Sequence, residues 1–177
     1  MPREEFAACS SYRDHVNMPT GSCAECGFAW DVSYDEAVGI VGASPRWFAK
    51  AFDGGQFLEP PAGVWSAKGY VWHVVDMLRI GTERLWMLRL DPTRGIAPWD
   101  PDTMAEQRSY EKLSAPVGLL SLEGAARDWL AAARGAPRDI RAAHPLFGTM
   151  DAALIATFAA HEVVHHTLDV RRQLPTP

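Results

Sequence analysis

Four long runs with apolar residues at helical spacing, and no run that alternates with period two, point this chain to an all-α fold. The first run, "SYDEAVGIVGASPRWFAKAFDG" over residues 33–54, opens at Ser33 with Glu36 in capping-box register and closes at Gly54. Pro45 lies inside it and should kink or interrupt the helix. The second run, "AKGYVWHVVDMLRIGTERLWMLRL", is capped by Ser66 and stopped by Asp91-Pro92. A loop rich in Pro and Asp follows, with "PWDPD" around Trp99, and then a short helix over residues 103–112. The third long run is "SAPVGLLSLEGAARDWLAAARG". Pro137 and Pro145 frame a connector, and a last helix extends from about Met150 to Arg172, capped by Thr149 or Asp151. Four such helices predict a four-helix bundle over residues 33–177, with residues 1–32 as an N-terminal segment. No sheet is expected.

The chain has 177 residues, 47% of them hydrophobic, enough for one domain with a real core. A net charge of -5 lacks the basic face that a nucleic-acid partner needs. No apolar run is long enough to span a membrane, and "MPREEFAACSSYRDH" does not read as a signal peptide. A cytoplasmic protein with a small-molecule partner is the expectation. Three cysteines, an odd number, do not suit a secreted disulfide framework.

The stretch "AAHEVVHHTLDV" holds three of the six histidines. Positions four apart on a helix lie about 40° apart on the wheel. His161 and His165 therefore fall on one stripe with Leu154, Phe158 and Leu168, while His166 falls with Ile155, Ala159 and Glu162. Buried imidazoles need partners for both ring nitrogens. Two of them one turn apart suit a divalent cation, and a third ligand must then come from another helix. His73 supplies it, from the stripe Gly69, His73, Met77, Ile80 and Arg84. Asp76, one turn on, could bind directly or hold a ligand's second nitrogen. Three protein ligands leave an open position, as catalytic metal sites do. The plainer readings are that His165 and His166 pair with Glu162 and Asp169, and that His73 is a hydrogen-bonded core residue.

The order and spacing of "GVWSAKGYVWHVVD", a "PWD" loop and "HEVVHHTLDV" resemble the DinB-like metalloenzyme superfamily, and "CAECGFAWD" resembles its actinobacterial members. The resemblance spans Cys23 to Val170. It implies a four-helix bundle holding a divalent metal, zinc in the first place and nickel as the alternative, on three histidines. Carried onto this chain, those are His73, His161 and His165. His166 takes a position that is often histidine in relatives without being a ligand, and Asp169 stands near where many relatives have glutamine. Members of this superfamily include thiol-dependent transferases and isomerases, among them mycothiol-dependent maleylpyruvate isomerase and bacillithiol transferases, so a low-molecular-weight thiol is an implied co-substrate.

Cys23-x-x-Cys26-Gly27 has the shape of half a zinc ribbon, the glycine allowing the turn that aims two thiolates at one ion. A structural site needs two more ligands, and Cys9, His15 and, remotely, His144 are candidates. A redox pair or two plain reduced cysteines are the alternatives, and the knuckle, directly ahead of the first helix, could also fold back over the mouth of the bundle and reach the site. Further candidates are Arg84 as a carboxylate anchor, and Tyr70 and Glu162 as acid or base. Trp99 reads as the residue that pins the crossover loop rather than as a wall of the site. Trp65, Trp72, Trp86 and Trp129 read as core or wall residues.

The expectation is a metal-dependent transferase or isomerase acting on a small electrophile through a metal-activated thiol or water. The rivals are a natural-product biosynthetic enzyme that uses no thiol, and a non-catalytic metal-binding or stress-response protein. Exposed helix faces could support a homodimer.

Overall fold

The computed structural model describes residues 20–53 and 55–175. Five α-helices lie along them: α1 (Tyr34–Phe52), α2 (Ala67–Leu90), α3 (Pro101–Arg108), α4 (Ala115–Gly135) and α5 (Ala152–Arg172). The four long ones form the expected bundle. α2 packs on α4 and α5, and α1 packs on α5 and α4, so α1 and α2, like α4 and α5, sit across a diagonal. Sequence neighbours on a diagonal need long connectors, here residues 53–66 between α1 and α2 and 136–151 between α4 and α5.

The helix ends follow from local chemistry. Ser33 and Glu36 close a full capping box on α1. The Ser66 hydroxyl accepts from the Gly69 amide at 3.3 Å, and Asp151 accepts from the Leu154 amide at 2.9 Å to start α5. Pro45 does not interrupt α1, which runs through it. Proline removes the amide that would have bonded the Val41 carbonyl, and the Ser44 hydroxyl donates to that carbonyl at 2.7 Å instead. The closure at Gly54 lies outside the described residues.

Two expectations need correction. The short helix is Pro101–Arg108, followed by a 3-10 turn at Tyr110–Lys112, because Asp100 caps it and Ser109 leaves the helix in the left-handed region. A sheet also exists: β1 (Arg141–His144) pairs antiparallel with β2 (Gly148–Asp151), with Arg141 opposite Asp151 and His144 opposite Gly148. Four-residue strands are too short for period two to show in the sequence. The hairpin receives the crossover through the Ile96 amide, which donates to the Ala143 carbonyl at 2.6 Å.

The core is built from Val41, Phe48, Val71, Leu78, Leu85, Leu122 and Trp129, all fully buried. Gly81 lets α2 and α4 close on each other, since a Cβ there would sit 2.8 Å from Trp129 Nε1. On α5 the buried face is mostly small: Ala152, Ala156, Ala159, Ala160 and Val163. That brings its backbone close to α1 and α2. No described helix is long and apolar enough to cross a membrane.

Ahead of α1 the chain folds into a tight hairpin. Cys23 and Phe28 pair through the Cys23 amide at 2.8 Å, and the Trp30 amide donates to the Gly21 carbonyl at 3.0 Å. Gly27, at φ 72°, takes the left-handed turn that other side chains resist. Phe28 and Trp30 are buried against α5, with the Trp30 ring 4.4 Å from that of His161.

Candidate metal centre

α5 faces α2 on one side and the N-terminal hairpin on the other, so adjacent residues of "HEVVHH" serve two different neighbours. The histidines predicted as one set are divided between two groups. His73 of α2 meets Glu162 and His166 of α5. His161 and His165 meet Cys23 and Cys26 of the hairpin. In each group one potential ligand atom per residue lies within 4.8 Å of all the others.

In the first group, His73 Nε2 lies 3.0 Å and His166 Nε2 3.1 Å from the same oxygen, Glu162 Oε2. Donor atoms on one divalent ion stand about 3.0–3.4 Å apart, from bond lengths near 2.0–2.1 Å. The two contacts to Glu162 match that edge. His166 Nδ1 is backed by Asp169 Oδ2 at 2.9 Å, the carboxylate–histidine arrangement that orients metal ligands. His73 is 3% exposed, and its Nδ1 is buried without a hydrogen-bond partner among the described residues. The residues present therefore fit a divalent ion.

The surroundings set the three groups differently. Burial opposes ionisation of Glu162, but hydrogen bonds from His161, His166 and His73 hold it well below the usual carboxylate range. Burial also pushes His166 down, yet its bonds to Asp169 and Glu162 prevail and raise it to about 9. For His73 burial dominates, and the imidazole is pushed down toward its neutral, ligating form.

Aromatic rings wall this centre. Trp99 stacks on His73 at 5.7 Å and 13°, and Trp65 lies 5.0 Å from the same ring. Trp99 is therefore a wall residue, and its loop is pinned by other groups. Tyr70 stacks on His166 at 5.0 Å. Burial, with Asp169 and Glu25 nearby, pushes the Tyr70 hydroxyl pKa up, so it stays protonated.

Other sequence candidates sit elsewhere. Both oxygens of Asp76 are engaged, one by Arg108 and the other by the Tyr110 hydroxyl at 2.6 Å, so it braces the crossover against α2 rather than holding a ligand nitrogen. Arg84 donates to the Ala97 carbonyl at 3.1 Å and so fastens the crossover loop. His144, on β1, accepts from the Leu146 and Phe147 amides through Nδ1 and is not grouped with the cysteines. Cys9 and His15 lie outside the described residues.

His166, read from the sequence as turned away, and Glu162, read only as an acid or base, are the residues the wheel undervalued. The available signal was Glu162-x-x-x-His166, which shares one face as well as His161-x-x-x-His165 does, with Asp169 one turn beyond.

A family model for the DinB superfamily matches residues 46–170, a span that contains His73 and all the α5 groups but not the cysteine hairpin. Among solved structures the chain is similar to YfiT from Bacillus subtilis. The TM-score is 0.66 at 17% identity, covering 88% of this chain and 92% of that one. YfiT is described as a probable metal-dependent hydrolase with an unusual four-helix bundle topology. No curated protein matches the chain.

Proposed function

This chain belongs to the DinB superfamily, and on that footing we propose that it is a metal-dependent enzyme acting on a small electrophilic molecule, with its ion held by His73, Glu162 and His166. The observation that carries this reading is the convergence of two imidazole nitrogens on one buried carboxylate oxygen, at 3.0 and 3.1 Å. Three protein ligands leave coordination positions open. A divalent ion there, zinc or nickel, would supply Lewis acidity and lower the pKa of a bound thiol or water.

The chain's own groups do the rest. Asp169 fixes the tautomer and tilt of His166. Trp65 and Trp99 line the approach to His73 and offer flat apolar faces to a substrate. Tyr70, whose ring stacks on that of His166, keeps its hydroxyl proton and is the group we assign to donate to a developing oxyanion. The nucleophile we assign is a low-molecular-weight thiol of the mycothiol type, on the strength of the sequence resemblance. Hydrolysis is the second reading, favoured by the description of YfiT.

The test is metal analysis followed by turnover. Zinc- or nickel-loaded protein is assayed with a panel of small electrophiles, with and without thiols. Thiol-dependent conjugation or isomerisation supports the first reading, and thiol-independent ester or amide cleavage the second. A His73→Ala/His166→Ala double variant that binds this ion as tightly as the wild type sinks the site assignment.

A further inference from the structure

The second group on α5 has a different chemistry and a different neighbour. Cys23 Sγ lies 3.7 Å from His165 Nδ1. A tetrahedral zinc edge between sulfur and nitrogen is about 3.6 Å, from bond lengths of about 2.3 and 2.0–2.1 Å. His161 is fully buried, and its Nε2 has no hydrogen-bond partner among the described residues. Its other nitrogen, Nδ1, is taken by Glu162 Oε1 at 3.2 Å. His165 shows the same division: Nδ1 faces Cys23, while Nε2 faces Glu25 Oε2 and Asp169 Oδ2, each at 3.6 Å. Each imidazole thus turns one nitrogen to a carboxylate and leaves the other for an ion.

The hairpin brings both sulfurs to these rings: the Gly27 amide donates to the Cys23 carbonyl at 2.9 Å to close the turn, and one potential ligand atom from each of the four residues lies within 4.8 Å of the others. Both thiols are free. Two thiolates and two neutral imidazoles neutralise one divalent charge, and they leave no ligand position open. A redox pair has no need of two buried histidines aimed at it.

We propose that Cys23, Cys26, His161 and His165 form a second, closed tetrahedral site for a thiophilic divalent ion, zinc above all, which fastens the N-terminal hairpin to α5. The site is structural, and it shares carboxylates with the open centre: Glu162 Oε1 backs His161, and Asp169 Oδ2 lies 3.6 Å from His165 Nε2 and 2.9 Å from His166 Nδ1. The ion joins a segment ahead of the family-matched region to the helix that supplies Glu162 and His166.

The experiment uses the full chain, purified under reducing conditions and loaded with zinc, then with cobalt. The wild type binds two ions per chain. Cys23→Ser/Cys26→Ser binds one, and His73→Ala/His166→Ala binds the other one. Cobalt in the wild type and in His73→Ala/His166→Ala gives an intense sulfur-to-cobalt charge-transfer band, which the cysteine variant lacks. Should the cysteine variant fail to fold, the wild type alone decides. In the loaded protein Cys23 and Cys26, told apart from Cys9 by peptide mapping of the labelled chain, resist a thiol reagent until a chelator strips the ion. Free labelling of Cys23 and Cys26 in the loaded wild type, with no charge-transfer band, overturns the second site. Such a result leaves the His73 centre standing, because that centre is read out by its own variant.

Discussion

Replacing Tyr110 by Phe isolates one bond beneath the candidate centre. The Tyr110 ring is 1% exposed, and its hydroxyl donates to Asp76 Oδ2 at 2.6 Å. Burial, and then the hydrogen bond to Asp76, push the phenol pKa up, so the hydroxyl is a donor across the working pH range. Phe keeps the ring and its packing on Trp65, 6.0 Å away, so no cavity term enters. What is lost is a hydrogen bond to a buried carboxylate, about 1.5–3 kcal/mol. Asp76 keeps its pairing with Arg108, so its charge is not left unpartnered. For a chain of this size that loss corresponds to a fall in Tm of about 3–12 °C. Urea titrations of wild type, Tyr110→Phe, Asp76→Asn and the double variant give the pairwise coupling directly. A loss below about 0.5 kcal/mol, the level of an ordinary surface change, would falsify the claim that this bond braces the crossover on α2.

Asp169→Asn keeps an acceptor for His166 but removes the charge, and metal affinity at the His73 centre should fall about 10–100-fold in a chelator-competition titration, with the circular dichroism spectrum unchanged. Gly81→Ala drives a methyl to within 2.8 Å of Trp129 Nε1 in a fully buried setting, so overpacking of about 1–3 kcal/mol outweighs the helix-propensity gain of about 1 kcal/mol, and chemical denaturation should show a net loss. His144 is pushed down to about 4 by burial and then by Arg84, against about 6.5 when unfolded. The unfolded chain therefore takes up the proton first: the neutral His144 contributes its full stability above about pH 6.5 and loses it as pH falls to about 4. His144→Asn can still accept the same two amides, and its Tm should fall less steeply than that of wild type across that window.

The bundle was legible because its signals are local. Ser33 with Glu36, Ser66 and Asp151 each declare a helix start within three residues, and the helices follow closely from them. The hairpin at Arg141–Asp151 was not legible, since its strands hold four residues each and its pairing is a tertiary fact. The metal centre was half legible. His73 and the histidines of α5 stood out, but the wheel was aligned on Leu154, Phe158 and Leu168, the bulkiest residues. The structure instead buries the alanine face, and large residues flank it. With α2 on one side and the hairpin on the other, both the 161/165 pair and the 162/166 pair face protein. Hydrophobic period alone cannot say which pair meets His73. The neighbour that claims the first pair lies far away in sequence, at Cys23 and Cys26.

The separation of the two groups also bears on how relatives should vary. Cys23 and Cys26 precede the matched region, while His161 and His165 lie inside it. A bundle that lost the hairpin would keep two polar rings on a newly opened face, with nothing to gain from them. The Cys-x-x-Cys and the offset His-x-x-x-His should therefore be inherited together and lost together, while His73, Glu162 and His166 persist in either lineage.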